Sequence, residues 1–475
     1  MKLALLFLCD GWDYYPPINL VSIASYLKKN AENLDVKIFD LNFDNIDKSL
    51  EEFKPDLIGI TCMSPEYTQV TGKAKSIKKK FNVPLIIGGT HISVLPESMD
   101  KIYDVGIIGE GEKTMLELTK HFQKHGCIDK KALKDVNGII YPHDGKLIKT
   151  KDRDMIDLKE LPKQDWSLIN PLYFNKIMPE KDYIRRAYIM SSRGCPYKCR
   201  FCSSSHYWKT CRYQSAEQVM EEIRDFYYNY KIKNIHFSDD LFCYNLQRVH
   251  EILALMKKEG LLGKIKFSCN MRANLVNENL LSALKELGMW LVGFGFESGS
   301  EKYLAYLKRN SVTVEQNKKA IRLCKEYGIN VAGSVMFGGP NETIEDMKKT
   351  LDFIDFCIHE NILNLGAFIL TPFPGNEMWN IAKERGKVKD NMDDWGKLDY
   401  VNVDDAFLLD ESIDKSEFKK LFQECREKLN YFRRKRLFNL VKTHPVKIAG
   451  EMLKHPGNAV SSALRVILNK SKERR

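Results

Sequence analysis

Three cysteines stand closer together than any others in the chain. The segment SSRGCPYKCRFCSSSHYW places Cys195, Cys199 and Cys202 in a C-x3-C-x2-C spacing. Thiolates this close in sequence can wrap one face of a cube-shaped iron–sulfur cluster while the loop curls around it. A fourth thiolate would close the cluster. Three leave one iron open, as a reactive cluster needs and a pure electron carrier does not. Gly194 relieves crowding where the loop begins, and Pro196 stiffens its turn. The rival chemistry is a structural zinc site with a distant fourth ligand, for which Cys211 or His206 would serve. Zinc sites usually come as paired C-x2-C units, and the sequence holds no second pair. The other nine cysteines (9, 62, 127, 211, 243, 269, 324, 357 and 425) are scattered. They read as small buried hydrophobes of a cytosolic chain, not as a secreted disulfide framework.

The cysteine loop follows an apolar run, AYIMSSR, the first of six such runs between residues 186 and 385. The others are IKNIHFSDD, KIKFSCN, MWLVGFGFE, INVAGSVMF and ILNLGAFIL. Amphipathic stretches such as AEQVMEEIRDFYYNY and IEDMKKTLDFIDFCI lie between them. Six strand–helix units predict an incomplete (β/α)6 barrel, with functional groups just after each strand. Residues 1–126 alternate in the same way: LALLFLC, VKIFDL, LIGITCM, PLIIGG and VGIIGEG are separated by helical stretches. Strands apolar throughout predict a doubly wound, Rossmann-like parallel sheet that binds ligands at its carboxyl edge. Residues 127–185 read as a linker with a small hairpin turning at Asp144-Gly145. Residues 386–475 read as a helical, basic C-terminal region.

A C-x3-C-x2-C loop after a first strand, with aromatic Phe201 before the last cysteine, resembles the radical S-adenosylmethionine (SAM) superfamily over residues 186 to about 385. The resemblance implies a 4Fe–4S cluster on the three cysteines and SAM chelating the open iron. It also implies cleavage of SAM to a 5′-deoxyadenosyl radical that removes hydrogen from an unactivated position. Asp239 and Asp240, in FSDDLF, occupy the place where the family contacts the SAM amino group. Many members have Gly-Gly-Glu there, so which carboxylate acts stays open, and Asp240 has a helix N-cap as its alternative role. Asn270 and Arg272 follow the third strand and face the pocket. Glu297 and Ser298 follow the fourth, where the family contacts SAM ribose or carboxylate. An unpaired carboxylate at that strand end would be costly, which favours a ligand for Glu297. Gly338, Gly339 and Pro340 resemble the loop that cradles adenine.

The order of segments over residues 1–120 resembles the cobalamin-binding domain found upstream of one branch of radical SAM enzymes. The resemblance places Thr61 and Met63 along the slot for the nucleotide tail, and Gly88-Gly89 would let the backbone approach a bulky ligand. Asp40 follows the second strand. The first loop, CDGWDYYPP, has no His, so no lower ligand for the corrin comes from it. His91 follows the glycine pair and reads as a packing or capping residue. The stretch Gly109-Glu110-Gly111-Glu112 looks like a phosphate loop, but it lacks Lys and carries two negative charges. It predicts a tight turn and a helix start instead.

Composition excludes several classes. The chain has 475 residues, 44% hydrophobic and 29% charged, as in soluble globular proteins. The N-terminal apolar run is too short, and lacks a cleavage site, for a signal peptide. No stretch approaches a membrane span. These features predict a cytoplasmic protein. The net charge is +11, and residues 431–475 hold 12 Lys and Arg against two Glu. That tail forms either a solvated face or a peripheral contact with an anionic membrane, the latter fitting a lipid substrate. Nucleic acid is not expected as a partner, since no recognised module is present. The resemblances together imply a cobalamin-dependent radical SAM methyltransferase acting on a small molecule or lipid, with an electron donor such as ferredoxin or flavodoxin. A radical cyclase or rearranging enzyme and a non-catalytic iron–sulfur carrier or sensor are the alternatives.

Overall fold

Five of the N-terminal apolar runs are strands: β1 (Lys2–Phe7), β2 (Asp35–Asp40), β3 (Leu57–Thr61), β4 (Leu85–Gly88) and β5 (Val105–Ile107). In the computed structural model, which describes residues 1–11, 15–175, 186–404, 407–409 and 413–443, they pair in parallel in the order β2-β1-β3-β4-β5. β3 is buried along its length and β1 from Leu3 onward, so both faces are covered, as a parallel sheet requires. The crossovers are α1 (Ile18–Asn30), α2 (Ile46–Phe53), α3 (Tyr67–Phe81), α4 (Thr90–Val94) and α5 (Gly111–His125). β2 and β3 lie on opposite sides of β1, which makes the switch point of a doubly wound sheet.

The expected hairpin is β6 (Ile139–His143) and β7 (Lys146–Lys149), turning at Asp144 and Gly145, both at positive φ. It is not free-standing. β6 pairs antiparallel with β5, so the segment read as a linker closes the edge of the sheet.

The run AYIMSSR divides into β8 (Ala187–Ile189) and β9 (Ser192–Arg193), and β9 pairs with β10 (Arg212–Tyr213) in a two-residue antiparallel ladder. β8 joins β11 (Asn234–Phe237), β12 (Lys266–Met271), β13 (Met289–Glu297), β14 (Asn330–Phe337) and β15 (Asn364–Ile369) in a second, wholly parallel sheet whose strand order follows the sequence. This is the expected (β/α)6 arrangement. The helices between and after its strands are α6 (Ser204–Tyr207), α7 (Ala216–Arg224), α8 (Leu246–Lys258), α9 (Glu278–Leu287), α10 (Glu301–Lys308), α11 (Val314–Glu326), α12 (Ile344–His359) and α13 (Glu377–Glu384). Capping boxes at Thr313–Gln316 and Thr343–Asp346 start α11 and α12. A long helix, α14 (Lys415–Thr443), fulfils the C-terminal expectation as far as the described residues reach. The remainder of the basic tail lies outside them.

Packing divides the chain into two units, both discontinuous, the first made of Met1–Tyr173, Met190–Glu222 and Thr371–Asp399. The second holds the remaining described residues. The cysteine loop thus packs with the N-terminal sheet, as does the stretch after the last barrel strand. Among the described residues no helix is long and apolar enough to cross a membrane.

Candidate functional site

In the first unit the cysteine loop leaves β9 at Gly194, whose φ is +98°. A Cβ there would meet the Thr210 carbonyl oxygen at 2.5 Å. Glycine is required because the two ends of the loop cross at that point. All three cysteines are free thiols. Cys199 is buried, Cys195 and Cys202 are half-buried, and the Cys202 amide donates to the Cys199 carbonyl at 3.2 Å. A loop folded on itself, offering three thiols and no disulfide, fits the cluster's donor set. Among the described residues, no three His, Cys, Asp or Glu groups converge as around a single ion. The His206 side chain lies outside the described residues.

Two structures hold this loop, and neither was foreseen. At its crest, Asn376 donates from Nδ2 to the Phe201 carbonyl (2.7 Å) and to Ser203 Oγ (3.1 Å), while its Oδ1 caps α13 by accepting from the Trp379 amide (3.1 Å). Arg200 reaches Glu377 at 2.6 Å, and the Ser203 hydroxyl donates to the Pro374 carbonyl at 3.0 Å. At its base, Arg193 and Arg212 bind Glu110 and Glu112, the acids of the Gly109–Glu112 stretch. That stretch does form a turn and helix start, as expected. However, the Glu110 side chain makes no cap hydrogen bond, and the two acids serve the arginines. Burial alone would raise the Glu112 carboxyl, but the charge and hydrogen bonds of Arg193 outweigh it and hold the pKa below the usual carboxylate range. The available signal was a basic residue at each end of the cysteine loop, with no acid near it in sequence.

Thr61, Met63, Gly88 and Gly89 gather at the carboxyl edge of the first sheet, where Thr61 and Gly88 are register partners. Thr61 Oγ1 accepts from Asn19 Nδ2 at 2.8 Å, and Met63 is half-buried. The glycines differ. A Cβ on Gly89 would meet the Cys62 carbonyl oxygen at 2.3 Å, so its close approach is to the chain's own backbone. A Cβ on Gly88 would meet only Ile107, at 3.8 Å. The open edge beside Gly88, the hydroxyl of Thr61 and the half-buried thioether of Met63 fit a bulky cofactor tail with both polar and apolar parts. Asp40 is engaged by the Tyr173 hydroxyl and by Asn42. His91 packs, as expected. It is fully buried, stacks on Tyr67 at 4.0 Å, and holds Ser64 and Ser98 through its two nitrogens at 3.0 Å each. Burial drives its pKa down to about 3.

In the second unit the SAM candidates share the carboxyl edge of the second sheet. Asp239 is buried and paired with Arg248 Nη2 at 3.4 Å, whereas Asp240 is exposed. Asp240 does not cap a helix: Asn245 caps α8 by accepting from the Arg248 amide. The strand ends at Phe237 and a 3-10 turn intervenes, which moves the helix start past Asp240. Asn270 is exposed beside Gly293, where a Cβ would strike its Oδ1 at 2.5 Å. Arg272 is half-buried and donates to Ser311 Oγ at 2.6 Å.

The argument made for Glu297 needs correction, because its carboxylate is not unpaired: Lys308 Nζ lies 3.2 Å away and both side chains are buried. Glu297 does stand out in its backbone, with φ at +65° where the β13–β14 register skips a residue. A non-glycine residue held there is strained, and such strain gathers at functional sites. Ser298 is fully buried, with its hydroxyl taken by Thr350 (3.0 Å) and the Ser300 amide (3.1 Å). Gly338 and Gly339 are buried, and Cβ atoms there would meet Phe418 (3.0 Å) and Tyr303 Oη (2.0 Å). Glu342, fully buried, accepts from the Gly338 amide at 2.5 Å and backs this loop.

A parallel (β/α)6 unit whose first strand leads into a three-cysteine loop defines the class of radical SAM enzymes. The Radical SAM superfamily description matches residues 189–354, and that of the B12 binding domain matches residues 13–119. The chain is 35% identical to "Uncharacterized methyltransferase PH0819" of Pyrococcus horikoshii, over 77% of this chain and 78% of that one. It is 27% identical to the anaerobic magnesium-protoporphyrin IX monomethyl ester cyclase of Rubrivivax gelatinosus, over 71% and 61%. It also superposes on the radical SAM methyltransferase TsrM of Kitasatospora setae, solved with cobalamin and a [4Fe-4S] cluster, with a TM-score of 0.67 at 18% identity over 82% and 79%. The chain belongs to the radical SAM enzymes that carry an N-terminal B12-binding domain. Its cofactors are therefore a 4Fe–4S cluster, SAM and cobalamin, and it needs a reductant.

Proposed function

We propose that this protein is a cobalamin-dependent radical SAM methyltransferase acting on an unactivated carbon. One observation carries the reading: the cysteine loop and the carboxyl edge of the B12-type sheet belong to one compact unit. A cluster site and a corrin site built into one body suit chemistry in which both cofactors serve a single substrate. Bound, the cluster, SAM and cobalamin supply one-electron SAM cleavage, hydrogen removal and a carried methyl group. The chain's part is to bind, orient and keep out water. Cys195, Cys199 and Cys202 would hold the cluster, leaving one iron for SAM. Asp239, Asp240, Asn270, Arg272, Glu297, Ser298, Gly338 and Gly339 form the SAM edge, with Asp240 and Asn270 exposed and Glu297 strained in its backbone and paired with Lys308. Thr61, Met63, Gly88 and Gly89 form the cobalamin edge, with Gly88 open and Gly89 holding the turn. His91 is not offered to the corrin, since both of its ring nitrogens are used.

By function we divide the chain into a cobalamin domain (1–126), a linker (127–185), a catalytic barrel (186–385) and a basic C-terminal region (386–475). The substrate is a small molecule or lipid, and the electron donor is a ferredoxin or flavodoxin. The tail from residue 431 supplies any contact with an anionic membrane. Anaerobic turnover is expected to yield 5′-deoxyadenosine, S-adenosylhomocysteine and a methylated product. Deoxyadenosine without homocysteine would overturn methyl transfer. It would favour the second reading, a cyclase, which the similarity to the Rubrivivax enzyme supports.

A further inference from the structure

We infer that Glu110 and Glu112 are positioning residues of the iron–sulfur loop, holding its two ends in register. The inference rests on the reading that this loop carries the cluster. β9 and β10, which close the loop, pair over two residues only, and Arg193 stands directly opposite Arg212. Like charges facing each other weaken a ladder, and beyond the two pairs the Gln214 amide donates to the Ser191 carbonyl at 3.0 Å.

Glu110 bridges the pair. Its Oε1 accepts from Arg193 (2.5 Å) and from Arg212 (3.0 Å), and its Oε2 accepts from Arg212 at 2.9 Å. Glu112 takes the other arm of Arg193 at 2.6 Å and a hydrogen bond from the Ser22 hydroxyl at 2.6 Å. The Ile156 amide donates to Glu110 (2.8 Å), and its carbonyl accepts from Arg212 (2.5 Å). Trp208, inside the loop, lies beneath both guanidiniums at 6.0 and 5.5 Å. The four side chains are 4–15% exposed, and their formal charges cancel.

Four buried charges are a poor way to gain stability, since apolar residues of similar size often hold a core as well. What the forked Arg–carboxylate pairs add is fixed geometry. A one-residue slip of β9 against β10 would displace Cys195, two positions beyond Arg193, by about 3.3 Å. That is enough to take its thiol off a cluster corner. The Gly109–Glu112 stretch of the cobalamin-type domain thereby sets where the cluster sits.

The test uses the full chain, reconstituted anaerobically with iron and sulfide. Melting by far-UV circular dichroism, iron per chain, and the electron paramagnetic resonance spectrum of the dithionite-reduced cluster with and without SAM are compared. For Glu110→Gln, secondary structure is expected to persist while the spectral change on adding SAM falls at least twofold. Ser22→Ala, which leaves no charge unpaired, should fold and show a smaller loss in the same direction. Glu117→Gln, at a half-exposed position on the same helix as Glu112, breaks a pair with Arg153 outside the loop and should match the wild type. A folded Glu110→Gln chain with wild-type iron and a wild-type response to SAM overturns the inference. Should that variant not fold, an unchanged Ser22→Ala spectrum overturns it. A wild-type chain with no cubane signal would instead refute the cluster reading, and this inference with it.

Discussion

Glu342 shows how one side chain ties the second unit's glycine loop to pH. Full burial raises its carboxyl to about 8, against the opposing Gly338 and Gly339 amides and with help from the Asp346 charge. In the unfolded chain the same acid ionises near its ordinary 4.5. Between those values the folded state keeps a proton that the unfolded state has lost. Its contribution to stability is therefore complete below about pH 4.5, falls by at most about 1.4 kcal/mol per pH unit, and is gone above about 8. Glu342→Gln keeps an acceptor for the Gly338 amide but cannot ionise. The variant should match the wild type near pH 5 and exceed it in urea-unfolding stability at pH 8. Parallel curves at both pH values would show that the Glu342 carboxyl is not held neutral.

At the scale of elements, the crest of the cysteine loop is clamped by the start of α13. Asn376 caps that helix and holds the Phe201 carbonyl with the same amide group, so loop and helix share one residue. Asn376→Ala removes a cap worth about 1 kcal/mol and leaves the part-buried Phe201 carbonyl short of this donor, for a total of about 1–2 kcal/mol. Iron bound per chain after anaerobic reconstitution is expected to fall with it. Asn376→Asp keeps the cap acceptor but cannot donate to Phe201, so it should recover part of the stability and little of the iron. Equal iron in both variants and the wild type would show that the clamp does not reach the cluster. The same elements show what a sequence can tell. All six barrel strands and five N-terminal strands were readable because apolar runs and turn residues are local signals, and the cysteine spacing is local too. Asn376 lies 175 residues from Phe201, and Glu110 lies 83 from Arg193. No periodicity links such pairs. Glu297 was read as unpaired because Lys308, on the far side of the next helix, meets it only once α10 packs back. Asp240 was weighed as a cap because the 3-10 turn at Phe242–Tyr244 gives no pattern in the sequence.

Across the whole molecule, the cofactor ligands do not follow the order of the chain. The unit that carries the cysteine loop also carries the N-terminal sheet and residues 371–399, so a cluster bound there stabilises parts far apart in sequence. Ligand that binds only the folded state raises its stability by mass action, and a structural metal group can contribute folding energy outright. The tryptophans make the effect separable. Among the described residues, Trp166, Trp208, Trp379 and Trp395 fall in that unit's segments, whereas Trp290 is in the other. Tryptophan fluorescence therefore reports chiefly on the first unit, and far-UV circular dichroism on both. Cluster-loaded protein should melt at a higher temperature by fluorescence than the same protein after anaerobic chelation of its iron, by several degrees for a gain of 1–3 kcal/mol. A Cys199→Ala chain should show no such difference. If chelation moves the circular dichroism melt of the loaded wild type but leaves its fluorescence melt in place, the cluster belongs to the other unit. The assignment of the cysteine loop to the B12-type body would then fail.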